Sequence, residues 1–402
     1  MERNILLNSV TRQYVKEHAL DDVRQLALHG SKDPLVDMPL ALQQIQGWQA
    51  ARRKLPSWAD IDGILYPPHL NMEQCSSEQT ARYKAKVIDD LQIDDLLIDL
   101  TGGFGVDFAF MSEGFEQAIY VEQNPELYNI AKANFATLGL ANVETVCGDG
   151  VDFLHRFDGH ASLIFIDPAR RDSHGQRTFG IGDCTPDVLP LMDELLAKAD
   201  HVLLKLSPML DWRKAISDVG REHVEQVHIV AVAGECKELL LLLSLQGTPH
   251  PTLTCANDDS KEVFMLDRAG GTTGTTVAIG AHCFLYEPNA ALMKAGVFAQ
   301  LAGRYDVRQL APNSHLFTSE GLVEHFPGRT FRMVAVSTMN KKELKQKVLP
   351  LGQANISVRN FPMSVAELRG RLKLGEGGSN YLFATTLATG ERVIIVCQSI
   401  TR

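Results

Sequence analysis

Leu96-Leu97-Ile98-Asp99-Leu100-Thr101-Gly102-Gly103-Phe104-Gly105 is a short apolar run that ends on an acid and breaks into a glycine-rich turn. A run of this length reads as a strand buried on both faces, and the text after the turn is helical to about Met111. The alternation repeats outward. Ala118-Ile119-Tyr120-Val121 is a second strand, and Pro125 takes the first position of a helix over 126–138. Val143 to Val146, Leu163 to Ile166, Val202 to Leu206, Val227 to Val232 and Leu239 to Leu243 continue the series. Strands alternating with helices predict a mostly parallel sheet covered on both faces.

In such a sheet a ligand binds where strand ends meet glycine turns, because a residue without Cβ lets backbone amides come close. Asp99-x-Thr101-x-Gly103-x-Gly105 meets that need, and two nucleotide classes fail against it. A dinucleotide fold requires G-x-G-x-x-G, and Phe108 stands where the third glycine belongs; no GxxxxGK[ST] phosphate loop is present either. Further acids fall at further strand ends. Glu122 follows Asp99 by 23 residues, where a carboxylate can accept both ribose hydroxyls of an adenosine. Gly148-Asp149-Gly150 follows the third strand, and Asp167-Pro168-Ala169-Arg170 the fourth. Each has a plainer reading alone: Asp99 as a turn cap, Glu122 as a solvated strand end, Asp149 as a turn aspartate, Arg170 and Arg171 as a solvated pair. The signal lies in their joint order.

That order resembles the class I S-adenosylmethionine-dependent methyltransferases. The resemblance implies an α/β, Rossmann-like fold with a mostly parallel seven-stranded sheet, and S-adenosyl-L-methionine as cofactor. On it, Asp99, Thr101, Gly103 and Gly105 accommodate the methionine part, Glu122 the ribose and Asp149 the adenine amino group. Gln74 to Lys84 resembles the helix before the first strand in RNA and cap guanosine methyltransferases, which adds Ser76 to the cofactor set. Asp167-Pro168-Ala169-Arg170 resembles the (Asp/Asn)-Pro-Pro-(aromatic) motif of exocyclic-amine methyltransferases, with Ala169 and Arg170 as departures. The implied catalytic set is Asp167, the Pro168 carbonyl and Arg170, whose planar guanidinium can stack on a base or grip a phosphate. A ring nitrogen, a ribose oxygen or a carbon stays open as the target. Lys205, at another strand's C-terminal end, is expected to face the substrate, with an ordinary strand-end lysine as the equal alternative, while Cys184 has no base identifiable beside it.

The flanks differ in character. Residues 1–90 read as a helical module, closing with a helix over 77–88 in which Ser76 and Gln79 have the spacing to cap each other. The methyltransferase-like domain takes 91–260. Tyr286 to Ser319 resembles a small ferredoxin-like module, placed at 261–325, with Tyr286-Glu287-Pro288-Asn289 opening a helical stretch. Residues 326–402 read as a compact α+β end. Arg371-Leu372-Lys373-Leu374-Gly375 before Tyr381-Leu382-Phe383 resembles the THUMP-like domain of some bacterial methyltransferases, which implies an RNA partner, tRNA or rRNA.

Charge agrees with that division. The net charge of -10 conceals twelve basic against four acidic residues from Phe326 onward, a balance of +8 that leaves -18 elsewhere. Lys341, Lys342 and Lys345 on one helix, with Arg371 and Lys373 at the end of another, form the expected substrate surface, since such clusters attract phosphates without reading sequence. A lysine-rich solvated helix is the bland alternative. The seven cysteines show no CxxC pair or histidine partners, and the 13 histidines form no constellation, which argues against a disulfide framework or a metal site. With 402 residues, no apolar run of membrane length and no signal-peptide pattern at Met1-Glu2-Arg3-Asn4, a multidomain cytoplasmic protein without membrane contact is expected. The competing readings are a methyltransferase for a small molecule or protein, and a noncatalytic RNA-binding protein that retains the cofactor fold.

Overall fold

The computed structural model describes residues 7–170, 180–268, 279–280 and 282–400, so Arg171 lies outside the described residues. The chain divides into two compact units, Met1–Val227 with Lys237–Pro249, and His228–Cys236 with His250–Arg402.

The first unit opens with helices whose starts are set by side-chain caps. Asn8, Asp22 and Asp37 accept from the third amide of helices Ser9–Glu17, Val23–His29 and Met38–Lys54. Short helices Pro56–Ala59 and His69–Gln74 lead into Glu78–Asp89. Here the cap is Ser77, which accepts from the Thr80 amide, in place of the expected Ser76. Ser76 is instead turned into the buried interior.

The strands are β1 (Leu96–Asp99), β2 (Gln117–Glu122), β3 (Val143–Cys147), β4 (Ala161–Ile166), the short pair β5 (Ala169–Arg170) and β6 (Cys184–Thr185), β7 (Ala199–Leu206), β8 (Val224–Val232), β9 (Glu235–Leu243), β10 (Thr252–Asn257) and β11 (Ser260–Met265). The large sheet runs β3-β2-β1-β4-β7-β9-β8, then continues through β10 and β11 to nine strands. The first seven are the expected set; β10 and β11, an antiparallel hairpin, are an extension that the sequence reading left out. β2 pairs in parallel with both β1 and β3, β4 in parallel with both β1 and β7, and β9 antiparallel with β7. All six residues of β4 are buried, as a strand covered on both faces requires.

Strand order reverses between β1 and β4, which is where open parallel sheets bind ligands beyond their carboxyl ends. Local chemistry then shapes the connections at these strand ends. Asn124 caps helix Pro125–Leu138, Pro125 fills its first position, and Gly139 ends it in the left-handed region at φ 75°.

The second unit holds a seven-stranded sheet. Its strands are β12 (Phe284–Pro288), β13 (Arg308–Gln309), β14 (Phe317–Ser319), β15 (Gly328–Thr338), β16 (Asn355–Arg359), β17 (Asn380–Thr386) and β18 (Arg392–Ser399), in the order β13-β14-β12-β15-β18-β17-β16. Tyr286 to Pro288 therefore belong to a strand, and the expected helix starts only at Ala290, capped by Asn289. The two faces bury separate clusters, one around Phe331, Phe383 and Ile395, the other around Leu368, Leu382 and Ile394. Helices Lys341–Lys347 and Val365–Leu372 contribute Leu344, Leu368 and Leu372 to the second cluster. Ser364 and Glu367 cap each other at the start of the latter helix.

His228 on β8 is fully buried, and burial, helped by the charge of Lys261, lowers its pKa to about 3. The fold keeps this imidazole neutral while an unfolded chain protonates it below pH 6.5. Its stabilising contribution is therefore complete above pH 6.5 and is lost as pH falls toward 3, by about 1.4 kcal/mol per pH unit. Denaturation midpoints at pH 7 and 5 should show a steeper acid loss for the natural chain than for His228→Gln; equal losses would contradict this.

Candidate active site

The turn after β1 is built by two close approaches. Gly102 donates to the Val121 carbonyl at 2.9 Å, and a Cβ on it would lie 2.1 Å from the Tyr120 ring. Gly103 and Gly105 adopt φ of 57° and 83°, the region glycine enters without strain. Glu122, at the tip of β2, accepts from the Gly103 amide at 2.7 Å and from the Asn124 amide at 2.6 Å. Tyr120 donates its hydroxyl to the Gly103 carbonyl at 2.5 Å. The turn is thus clamped from the neighbouring strand.

Asp99 is 1 % exposed and accepts from the Thr101 amide at 2.8 Å. Burial raises its pKa well above the usual carboxylate range, against that hydrogen bond and with help from the charges of Asp107, Asp167 and Glu122. The Thr101 hydroxyl in turn accepts from the Asp167 amide at 2.7 Å, so the tips of β1 and β4 are joined.

Beneath these tips lies a cluster of charges. Lys205 on β7 donates to Asp167 at 2.6 Å, to Ser76 at 3.0 Å and to Asp107 at 3.1 Å. Lys84, with no exposed surface, pairs with Glu238 on β9 and lies 3.1 Å from Asp107. Ser76 donates to Asp107 at 2.7 Å and also reaches Glu238 at 3.1 Å. Burial works against the charges on Asp107 and Lys205, and the mutual pairing overrides it. The ammonium groups of Lys205 and Lys84 hold the Asp107 carboxyl down at about 2, and Asp107, Asp167 and Glu238 hold the Lys205 ammonium well above the ordinary lysine range.

The structure therefore brings Ser76, Asp99, Thr101, Gly103, Gly105, Glu122, Asp167 and Lys205 to one region. Lys205 turns its ammonium onto three protein oxygens and is only 12 % exposed, where sequence had it facing a substrate. Asp149 stands at the tip of β3 and is exposed; its Oδ1 accepts from the amides of Val151 and Asp152 as the cap of helix Gly150–Arg156. Pro168 is buried beside Asp167. Arg170 lies in β5, paired with Cys184 of β6, and its side chain is outside the described structure. Sequence reasoning missed Lys84, Asp107 and Glu238. Lys84 carried a signal: it falls in helical register with the buried Thr80, Ala81, Val87 and Ile88, a core position where a lysine needs a partner.

In the second unit Lys341, Lys342, Lys345, Arg371 and Lys373 are all exposed. Their two helices cover the same core cluster, so the cations share one face of that sheet. Lys347 and Arg369 are instead tied to backbone carbonyls, Lys347 to Val336 and Arg369 to Ala354 and Gly375. Among the described residues no group of three His, Cys, Asp or Glu side chains could hold a metal ion, and no helix is long and apolar enough to cross a membrane.

Residues 284–327 match a ferredoxin-like domain family and residues 328–399 a THUMP domain-like family. The crystal structure of a candidate methyltransferase from Porphyromonas gingivalis W83 is 34 % identical, with a TM-score of 0.86, over 100 % of this chain and 99 % of that one. The chain belongs to this family of class I methyltransferases with a THUMP-like C-terminal domain. An S-adenosylmethionine-dependent methyltransferase from Aquifex aeolicus matches 44 % of this methyltransferase-family chain and 99 % of its own length, at 15 % identity and a TM-score of 0.32. A candidate RNA methyltransferase from Pyrococcus horikoshii matches 38 % and 72 %, at 16 % identity and 0.28. No curated protein matches.

Removing one partner from a buried ion pair leaves the other charge unpaired, at a cost of about 3–5 kcal/mol. Lys84→Met should lose that much stability in chemical denaturation, and Lys84→Met with Glu238→Leu should recover part of it. Strictly additive losses would show that the two side chains do not act as a pair.

Proposed function

We propose that the chain is an S-adenosylmethionine-dependent methyltransferase that modifies a base of tRNA or rRNA, with an exocyclic amine as the favoured target. The observation that carries this reading is the 2.7 Å bond from the Gly103 amide to Glu122, which sets a carboxylate beside a left-handed glycine turn at a strand-order reversal.

The residues fit such a cofactor. A Cβ on Gly103 would meet only the Thr101 carbonyl, at 3.7 Å, so the space over the turn is open and a side chain there would fill it. Glu122 uses each oxygen for one amide and keeps lone pairs for ribose hydroxyls. Asp149, an exposed acid at the tip of β3, suits the adenine amino group through the oxygen that does not cap its helix. Glu122, Asp107, Asp167 and Glu238 outnumber Lys84 and Lys205, and that excess of negative charge favours a cation nearby. When bound, the cofactor supplies a methyl group on a sulfonium.

The chain's own part is orientation. Asp167 and the Pro168 carbonyl accept hydrogen bonds from the target amine and aim its lone pair, while Arg170 contacts the RNA. The proton that the nitrogen sheds passes to water. The five exposed cations of the second unit bind RNA phosphates by charge and counterion release.

Mass spectrometry of nucleosides from tRNA and rRNA of cells with and without the gene should show one methylated nucleoside disappearing, and restored methylation on purified RNA when the enzyme is added. Identical nucleoside profiles would overturn the RNA reading. Lys341→Glu, Lys342→Glu and Lys345→Glu together should weaken RNA binding and flatten its salt dependence; unchanged binding would reject the docking face.

A further inference from the structure

Lys205 is a strand-end lysine whose ammonium touches three oxygens, those of Asp167, Asp107 and Ser76. Only one of these, Asp167, is more than a tenth exposed, at 38 % of its side chain. The other two are anchored from behind. Asp107 is shared with Lys84, Ser76 bonds both Asp107 and Glu238, and Lys84 closes the circuit onto Glu238. Three elements thus meet the Lys205 ammonium directly, the loop at Ser76, helix Val106–Ser112 and the tip of β4 at Asp167, while helix Glu78–Asp89 and β9 brace Ser76 and Asp107 through Lys84 and Glu238.

We infer that Lys205 is a positioning residue for Asp167. It ties up Oδ2 and leaves Oδ1 as the oxygen presented to the substrate, with the Ser76, Lys84, Asp107 and Glu238 circuit holding the ammonium still. A carboxylate at the end of a strand can rotate about its Cα–Cβ and Cβ–Cγ bonds, and each lost orientation counts against a geometry that must place a nucleophile within about 3 Å of its target. An ammonium held by three oxygens removes that freedom. The arrangement also answers why a charged group is buried here at all: Lys205 acts through Asp167 and does not itself meet the substrate. This inference rests on the reading of Asp167 as the orienting acceptor.

The test is a double-mutant cycle on methyl incorporation into RNA from cells lacking the gene, using Asp167→Ala, Lys205→Met and both together. Lys205→Met should lower kcat by about a hundredfold, as misplaced catalytic geometry does. S-adenosylhomocysteine affinity should stay within about twofold, Lys205→Arg should recover part of kcat, and Lys205→Met should cost nothing more in the Asp167→Ala background. Equal losses in both backgrounds would overturn the positioning role. Lys205→Met with Asp107→Asn removes one charge of each sign, and serves if the single variant does not fold. A crystal structure of the Lys205→Met chain supplies an arm free of activity. It should show the Asp167 carboxylate displaced or in two orientations, and an unmoved carboxylate overturns the inference even if the RNA reading fails.

Discussion

Two ammonium groups and two carboxylates share a space from which water is largely excluded, with Asp167 at its half-exposed rim, and the arrangement of these elements meets the need to pair them. An unpaired buried charge costs several kcal/mol, so Lys84, Lys205, Asp107 and Glu238 must be brought together or not buried at all, and Asp167 completes the set from the rim. Each comes from a different element. The helix before β1 is thereby fixed to β7, β9 and the helix that follows the glycine turn, and the strand tips inherit defined positions. Such a cluster contributes little net stability over a packed apolar core, but it admits one arrangement.

On this base stands a second tier of hydrogen bonds. Thr101 links the tips of β1 and β4, Glu122 holds Gly103, and Tyr120 closes over the same turn. Gly102 is needed because the Tyr120 ring occupies the place of a side chain, whereas Gly103 is needed for its backbone angle. Two adjacent glycines thus serve different physical ends.

Much of this was legible in the chain itself. The parallel strands announce themselves as apolar runs ending on Asp99, Glu122 and Asp167, since a strand covered on both faces has no room for polar alternation. The helix start at Pro125 was equally local and equally readable. The buried cluster was not, because pairs that reach as far as 162 residues along the chain follow no spacing rule. Lys205 looked like any solvent-seeking lysine, and Ser76 looked like a helix cap until Ser77 took that place. Tyr286 to Pro288 read as a helix start because Pro288 and Asn289 are strong breakers, yet those breakers end a strand whose neighbours β14 and β15 are distant in sequence. The hairpin β10–β11 is by contrast local, Thr252–Asn257 pairing with Ser260–Met265 across Asp258-Asp259, and the sequence reading passed over it.

The second unit adds exposed cations on two helices over one core face.

The whole reading depends on the strand tips holding an adenosyl group. Calorimetric titration of the folded chain with S-adenosylhomocysteine is the most direct measure. Saturable binding at one site per chain is predicted, weakened at least tenfold by Glu122→Ala. A folded chain that releases no heat, or a Glu122→Ala chain that binds as well as the natural one, would contradict it.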